Sequence, residues 1–94
     1  MDVIKVSGTS RTSAVAGAIA GVFRENKRAE IQAIGAGAVN QAVKALVLSR
    51  GYLAEDGFEV VFYAEFTDVE IQRFLLLNNP RGEDNQSRLV LLLN

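Results

Sequence analysis

A glycine-containing turn between an apolar run and a helical pattern is the part of this sequence best suited to chemistry. Residues 31–34 are typical of the end of a strand, Gly35 and Gly37 follow, and a helical pattern begins at about Ala38. Such a join presents backbone N–H groups at the positive end of a helix dipole. It could hold an anion such as a phosphate, or it could simply let strand and helix pack closely.

The same turn lacks the signatures of nucleotide cofactor sites. A dinucleotide fingerprint would place its third glycine at position 40, which is Asn40, and no strand ending in an acidic residue follows at the required distance. The Gly-Lys-Ser/Thr ending of a phosphate-binding P-loop is also missing. No cofactor is therefore predicted, and anion binding and tight packing both stay open.

Several cations could contact phosphates. Arg11 lies in a hydroxyl-rich loop, residues 7–13, just before a predicted helix, which is a natural site for a phosphate. Lys44 lies on the polar face of the second predicted helix, and Arg81 lies in a turn-rich segment where a projecting hairpin would have its tip. Ordinary surface solubility is the alternative interpretation for each of them.

Acid–base catalysis finds little support in the sequence. Glu65, Asp68 and Glu70 could supply paired carboxylates or ligands for a hard metal ion, but a solvated rim explains them equally well. The chain has no histidine and no cysteine, which removes the usual general base and the usual zinc ligands. The prediction is a protein that is not an enzyme, with no metal site.

Composition limits the possible partners. The chain has 94 residues, 49% of them hydrophobic, and a single proline, which indicates one folded domain spanning residues 1–94. Its net charge of −1 disfavours tight, nonspecific coating of DNA, so nucleic-acid binding would need clustered cations or several subunits. No signal peptide or membrane span is evident, and we expect a cytoplasmic protein.

Hydrophobic periodicity divides most of the chain into five elements. They are a strand at residues 3–6, a helix at 14–26, a strand at 30–34, a helix at 38–50 and a strand at 58–66. Thr12 or Ser13 is the predicted N-cap of the first helix, and Gly51 is the predicted end of the second. Both glycines inside the first helix, Gly17 and Gly21, suggest close packing against the sheet or against another subunit.

The second helix shows a predicted core stripe and a few apolar residues outside it. The stripe consists of Val39, Ala42, Val43 and Leu46. Leu48 falls on the polar side, and together with Val47 and Tyr52 it favours an oligomer contact.

The C-terminal part is predicted to add an extended segment at residues 70–77, a turn at 78–86 and an apolar strand at 87–93. The overall order is β-α-β-α-β-β, with the first two strands parallel and the last two in an antiparallel hairpin. The predicted fold is therefore α+β, with a mixed four-stranded sheet, two helices on one face and an extended C-terminal hairpin. The opposite face must be solvated or covered by a partner.

Four segments together resemble the stage V sporulation protein S family of bacteria. They are VIKVS (3–7), SAVAGAIAG (13–21), AEIQAIGAGAVNQAVKA (29–45) and AEFTD (64–68). The resemblance covers most of residues 3–72 and resumes at the final strand. That family is linked to sporulation and cell-division regulation and is in turn similar to the Alba superfamily, whose members share the β-α-β-α-β-β fold and bind DNA or RNA as dimers.

The resemblance implies a set of nucleic-acid-binding positions in the first loop, at the start of the second helix and in the arm between the last two strands. In this chain they are Ser10, Arg11, Thr12, Gly35, Gly37, Asn40, Lys44 and Arg81. Alba proteins typically carry more cations in the first loop and at the second helix.

The chain also differs from the nearer family by about a dozen additional residues, 73–84, which include the apolar run 74–77 and are interpreted as an oligomer arm. The expected function is nucleic-acid binding as a homo-oligomer without catalysis. The alternative is a protein–protein assembly module that keeps the fold and has lost nucleic-acid binding.

Overall fold

Two helices lie on one face of a four-stranded sheet. A computed structural model describes residues 3–67 and 70–79 of the chain. The elements are β1 (Val3–Val6), α1 (Thr12–Asn26), β2 (Arg28–Ile34), α2 (Ala36–Glu55), β3 (Val60–Phe66) and β4 (Ile71–Asn78). The strand order is β1-β2-β4-β3, with β1 parallel to β2 and the other neighbours antiparallel. This arrangement confirms the predicted α+β Alba-like fold with a mixed sheet.

Alternation along the strands decides which side chains form the core. Ala29, Ile31 and Ala33 of β2 are fully buried beneath the helices, and Phe74 and Leu76 of β4 continue the same layer. From the helices, the core receives side chains at helical spacing, which are Val15, Ala16, Ile19, Ala20 and Phe23 of α1 and Ala38, Ala42, Ala45, Leu46 and Leu53 of α2. The many alanines let both helices lie close to the sheet.

The start of α1 and the end of α2 differ from the sequence prediction. Neither Thr12 nor Ser13 is the N-cap of α1, because the helix already begins at Thr12 and Arg11 occupies the cap position without a side-chain capping bond. The predicted end of α2 at Gly51 is wrong, since the helix continues to Glu55. The N–H of Gly57, a residue with φ of 87°, donates to the carbonyl of Ala54 and marks the actual end.

The core stripe of α2 is rotated relative to the prediction. Ala42 and Leu46 are buried as expected, but Val43 is exposed and Val39 is only half-buried. Leu53, two residues beyond Gly51, is fully buried, and its packing extends the helix through a glycine that costs about 1 kcal/mol.

β4 overturns the interpretation of residues 73–84 as an oligomer arm. Residues 73–78 belong to a central strand that pairs with β2 on one side and β3 on the other. The hairpin therefore consists of β3 and β4 and turns at residues 67–70, so Arg81 does not lie between these two strands. The predicted strand at 87–93 and Arg81 itself lie outside the described residues.

The face of the sheet opposite the helices carries an ion-pair cluster beside apolar side chains. Arg73 of β4 lies between two carboxylates, with its Nη1 2.9 Å from Glu65 Oε1 and its Nε 3.5 Å from Glu30 Oε1. Leu75, two residues along β4, points to the same face and is only 6% exposed. This face therefore carries both ion-paired side chains and a buried apolar side chain.

Candidate nucleic-acid interface

The first loop and the start of α2 lie against each other at one end of the sheet. Because α1 and α2 each follow one of the two parallel strands, both helices begin at the same end. The backbones of Gly8 and Gly37 are in contact, since a Cβ built on Gly37 would lie 3.6 Å from Gly8 Cα. The sequence-predicted loop and turn are therefore parts of one surface.

Gln41 holds this contact together. Its Nε2 donates to the backbone carbonyl of Ser10 over 2.8 Å and to Thr12 Oγ1 over 3.2 Å. The loop is also braced internally, because the Ser7 N–H donates to Ser10 Oγ over 2.9 Å and the Ser10 N–H donates to the Ser7 carbonyl over 3.1 Å. Gln41 is not among the predicted nucleic-acid-binding residues, because a contact between residues 31 positions apart leaves no signal in a single sequence.

Both helices begin without a side-chain cap. The first intrahelical bonds are Val15 N–H to the Arg11 carbonyl, 3.0 Å, and Val39 N–H to the Gly35 carbonyl, 3.1 Å. Neither helix has a side-chain capping bond or an acidic residue in its first turn. The positive ends of two helix dipoles therefore lie together, with no carboxylate in either first turn to neutralise them.

Gly35 has a conformational role that separates it from Gly37. Its φ of 92° and ψ of 160° lie in a region accessible essentially only to glycine. Its own N–H donates to the carbonyl of Glu70 over 3.0 Å, so that donor is already engaged. Gly37, in the first turn of α2, is the glycine that touches the loop and lies among the first N–H groups of the helix.

The predicted polar and charged residues lie at the start of α1 and along the first three turns of α2. Arg11 is exposed at the cap of α1, and Asn40 and Lys44 are exposed one turn apart on α2. We call Ser10, Arg11, Thr12, Gly37, Asn40 and Lys44 the helix-start surface. The structure places the loop of Ser10, Arg11 and Thr12 against the start of α2 near Gly37, with Asn40 and Lys44 farther along α2. Gly35 lies at the base of the turn, and Arg81 lies outside the described residues.

An open hollow of about 640 Å³ adjoins the helix-start surface on the hairpin side. Gly35, Ala36 and Val39 line it from α2 and its cap, and Phe66 and Gln72 line it from the hairpin, together with Glu70. Glu70 is exposed. An anion approaching the helix starts would therefore meet a negative side chain on this flank and Arg11 on the other.

Glu65 and Glu70, the described carboxylates among those considered for catalysis, have different surroundings. Glu65 is ion-paired with Arg73, Glu70 is exposed, and Asp68 lies outside the described residues. Within residues 3–67 and 70–79, no group of three acidic, histidine or cysteine side chains could hold a metal ion. None of the helices in these same ranges is long and apolar enough to cross a membrane.

Comparison with known protein families identifies the chain. The family model of stage V sporulation protein S matches residues 2–74. The match runs from the first strand into β4 and includes the whole helix-start surface. The chain belongs to the stage V sporulation protein S family, a family of bacterial sporulation proteins.

Proposed function

We propose that this member of the stage V sporulation protein S family binds the phosphate backbone of DNA or RNA through its helix-start surface. The observation that carries the proposal is the juxtaposition of two helix N-termini, both without side-chain caps, in a contact held by Gln41. Backbone N–H groups and dipole ends arranged in this way favour phosphate. The protein acts in regulation, without catalysis, in the cytoplasm.

Charge placement supports this proposal despite the net charge of −1. Arg11 is exposed at the cap of α1 and Lys44 is exposed on α2, and the first turn of neither helix contains an acidic residue. Two cations in one copy release few counterions from a duplex, so useful affinity requires that several copies bind together. We therefore expect a homodimer or a higher homo-oligomer, with exposed Leu48 and Tyr52 of α2 as candidate contact residues.

Fluorescence-anisotropy titration of labelled duplex DNA, single-stranded DNA and RNA tests the proposal. Measurements at about 20 mM and about 150 mM salt span Debye lengths of roughly 20 and 8 Å. We expect binding at low salt that weakens steeply at the higher concentration. Absence of binding to all three probes at low salt would refute the proposal.

The second candidate function is protein–protein assembly on the same fold. Exposed apolar side chains favour it, because Val47 is 57% exposed and Phe66 is 76% exposed. This function predicts self-association or partner binding that does not weaken steeply as the salt concentration rises. Sedimentation of the protein alone, run beside the titrations, distinguishes it from nucleic-acid binding.

A further inference from the structure

We propose that the hollow beside the start of α2 holds one unpaired nucleobase, which makes single-stranded nucleic acid the preferred partner of this protein. The hollow of about 640 Å³ adjoins the helix-start surface, and Phe66 forms one of its walls. The inference rests on the proposed function, because the phosphate next to that base would bind the helix-start surface. It adds the class of nucleic acid and the part of the nucleotide that the protein recognises.

Phe66 differs from the other four phenylalanines of the chain. Phe58 packs edge-to-face on Phe23, with ring centroids 5.4 Å apart, and Phe62 packs in the same way on Phe74, at 6.3 Å. Phe66 is 76% exposed and has no aromatic neighbour among the described residues. An exposed ring of this kind is a stacking platform for a base, since every base has a π-face.

Hydrogen bonds around the hairpin turn fix the backbone that carries Phe66 relative to α2. The Thr67 N–H, directly after Phe66, donates to the Ile71 carbonyl over 3.1 Å. The Gly35 N–H donates to the Glu70 carbonyl over 3.0 Å and joins the hairpin to the cap of α2. The wall of the hollow is therefore in place before a ligand binds, which lowers the entropic cost of binding.

Strand register places an amide side chain next to the ring. Gln72 of β4 lies directly opposite Phe66 on one side and Ala33 on the other, and Ala33 is fully buried beneath the helices. Residues directly opposite each other in antiparallel strands point to the same face of the sheet, so Gln72 and Phe66 both face the helix side. The Gln72 amide can donate to a base edge and accept from it.

The polar groups of the hollow suit a base better than a phosphate. Glu70 and Gln72 line it, and neither side chain has a hydrogen bond or an ion pair with any described residue. The Glu70 carboxylate repels a phosphate, but it accepts hydrogen bonds from the amino groups of cytosine, adenine and guanine. A phosphate fits the other flank, where Arg11 is exposed.

One strand of nucleic acid can occupy both places. Gly35 and Ala36, which line the hollow, are the cap and the first residue of α2. A phosphate bound by the N–H groups of this first turn therefore lies next to a base in the hollow. In a duplex the bases are paired and stacked on one another, so a base reaches Phe66 only at the cost of leaving the stack. This cost favours single strands.

Tryptophan fluorescence tests the stacking directly, because the natural chain contains no tryptophan. In Phe66→Trp the single indole lines the hollow, and a base stacked on it should quench its emission. The probes are single-stranded DNA, RNA of the same sequence and the corresponding duplex DNA, at about 20 mM salt. We expect quenching by both single strands and little quenching by the duplex. The matched control is Val47→Trp, which places the indole at a 57% exposed position about two turns beyond Val39 and should not be quenched.

The affinity of Phe66→Leu gives a second readout. Leucine keeps an apolar side chain and removes the ring, so binding of single strands should weaken by roughly 5- to 100-fold, the effect of losing one base stacked on an aromatic side chain. Binding of duplex DNA, which depends on phosphate contacts, should weaken by at most about twofold. Phe66→Tyr retains the ring and should recover most of the affinity for single strands.

The outcomes distinguish failure of this proposal from failure of the proposed function. If the parent binds nucleic acid but Phe66→Trp is not quenched, or if Phe66→Leu binds single strands as the parent does, the base site is refuted and phosphate binding stands. Equal quenching by duplex would show that no unpaired base is needed. Equal quenching by cytidine monophosphate at the same concentration would assign the hollow to a free nucleotide. Absence of binding by the parent would refute both proposals.

Discussion

The start and the middle of helix α2 expose opposite chemistry. Its start is fixed to the first loop by the two hydrogen bonds of Gln41 and lies near Arg11, the exposed cap residue of α1. Its middle exposes apolar side chains at Val43 and Val47. The proposed function assigns nucleic-acid contact to the first region, and the second candidate function assigns protein contact to the second.

Both regions depend on the core beneath the helix, and removing that support should have the largest effect. Leu46 is fully buried, whereas its neighbour Val47 is 57% exposed. Leu46→Ala should lower the free energy of unfolding by about 2–5 kcal/mol, because it leaves a cavity. Val47→Ala should lower it by less than about 0.5 kcal/mol. Urea denaturation measures the free energy of unfolding of both variants. A similar loss in the two would show that the Val47 side chain is buried and not exposed.

The two glycines at the start of α2 should respond differently to the same substitution. Gly35→Ala should cost about 1–3 kcal/mol of stability, because alanine is strained at φ 92° and ψ 160°. Gly37→Ala places a Cβ at an ordinary contact distance of 3.6 Å from Gly8 and gains helix propensity. Its stability should equal or exceed that of the parent. Thermal unfolding compares the pair, and a larger loss for Gly37→Ala would contradict the assigned roles.

A substitution at Gln41 weakens the helix-start surface without changing the exposed apolar side chains at Val43 and Val47. Gln41→Glu removes the donor to the Ser10 carbonyl and adds a negative charge near both helix starts. We expect a loss of about 1 kcal/mol in stability and weaker binding of labelled DNA. Gln32→Glu, on the sheet face opposite the helices, makes the same chemical change elsewhere and is the control. Equal DNA binding by the two variants would show that Gln41 does not contribute to binding.

The order of elements and the join at residues 31–38 could be predicted from the sequence because both depend on local pattern. Apolar alternation marks β2, and the glycines at positions 35 and 37 mark the turn. The family could be identified in the same way, since its segments are contiguous. The position of β4 could not be predicted from the sequence. Residues 74–77 and 89–93 are both apolar runs, so the pattern does not distinguish which of them forms the central strand. Pairing with two neighbours, and the placement of Arg73 between Glu30 and Glu65, distinguish the strand.

The end of α2 and the contact made by Gln41 depend on tertiary structure. A glycine after a basic residue usually indicates the end of a helix, but the burial of Leu53 in the core overrides that signal at Gly51. The bond from Gln41 to Ser10 joins two segments that only the sheet brings together. The predicted nucleic-acid-binding positions therefore stay a prediction, and they did not include Gln41, which joins the first loop to α2.

The proposed function requires that cations of the helix-start surface contact nucleic-acid phosphates. The salt dependence of binding tests this requirement. The variant Arg11→Gln with Lys44→Gln is compared with Arg28→Gln and Arg50→Gln, an exposed pair of the same charge located away from the helix starts. The slope of log K against log salt on duplex DNA should become shallower by about 1.8 per bound protomer in the first variant. It should stay unchanged in the second. Equal slopes for the parent and both variants would contradict the account.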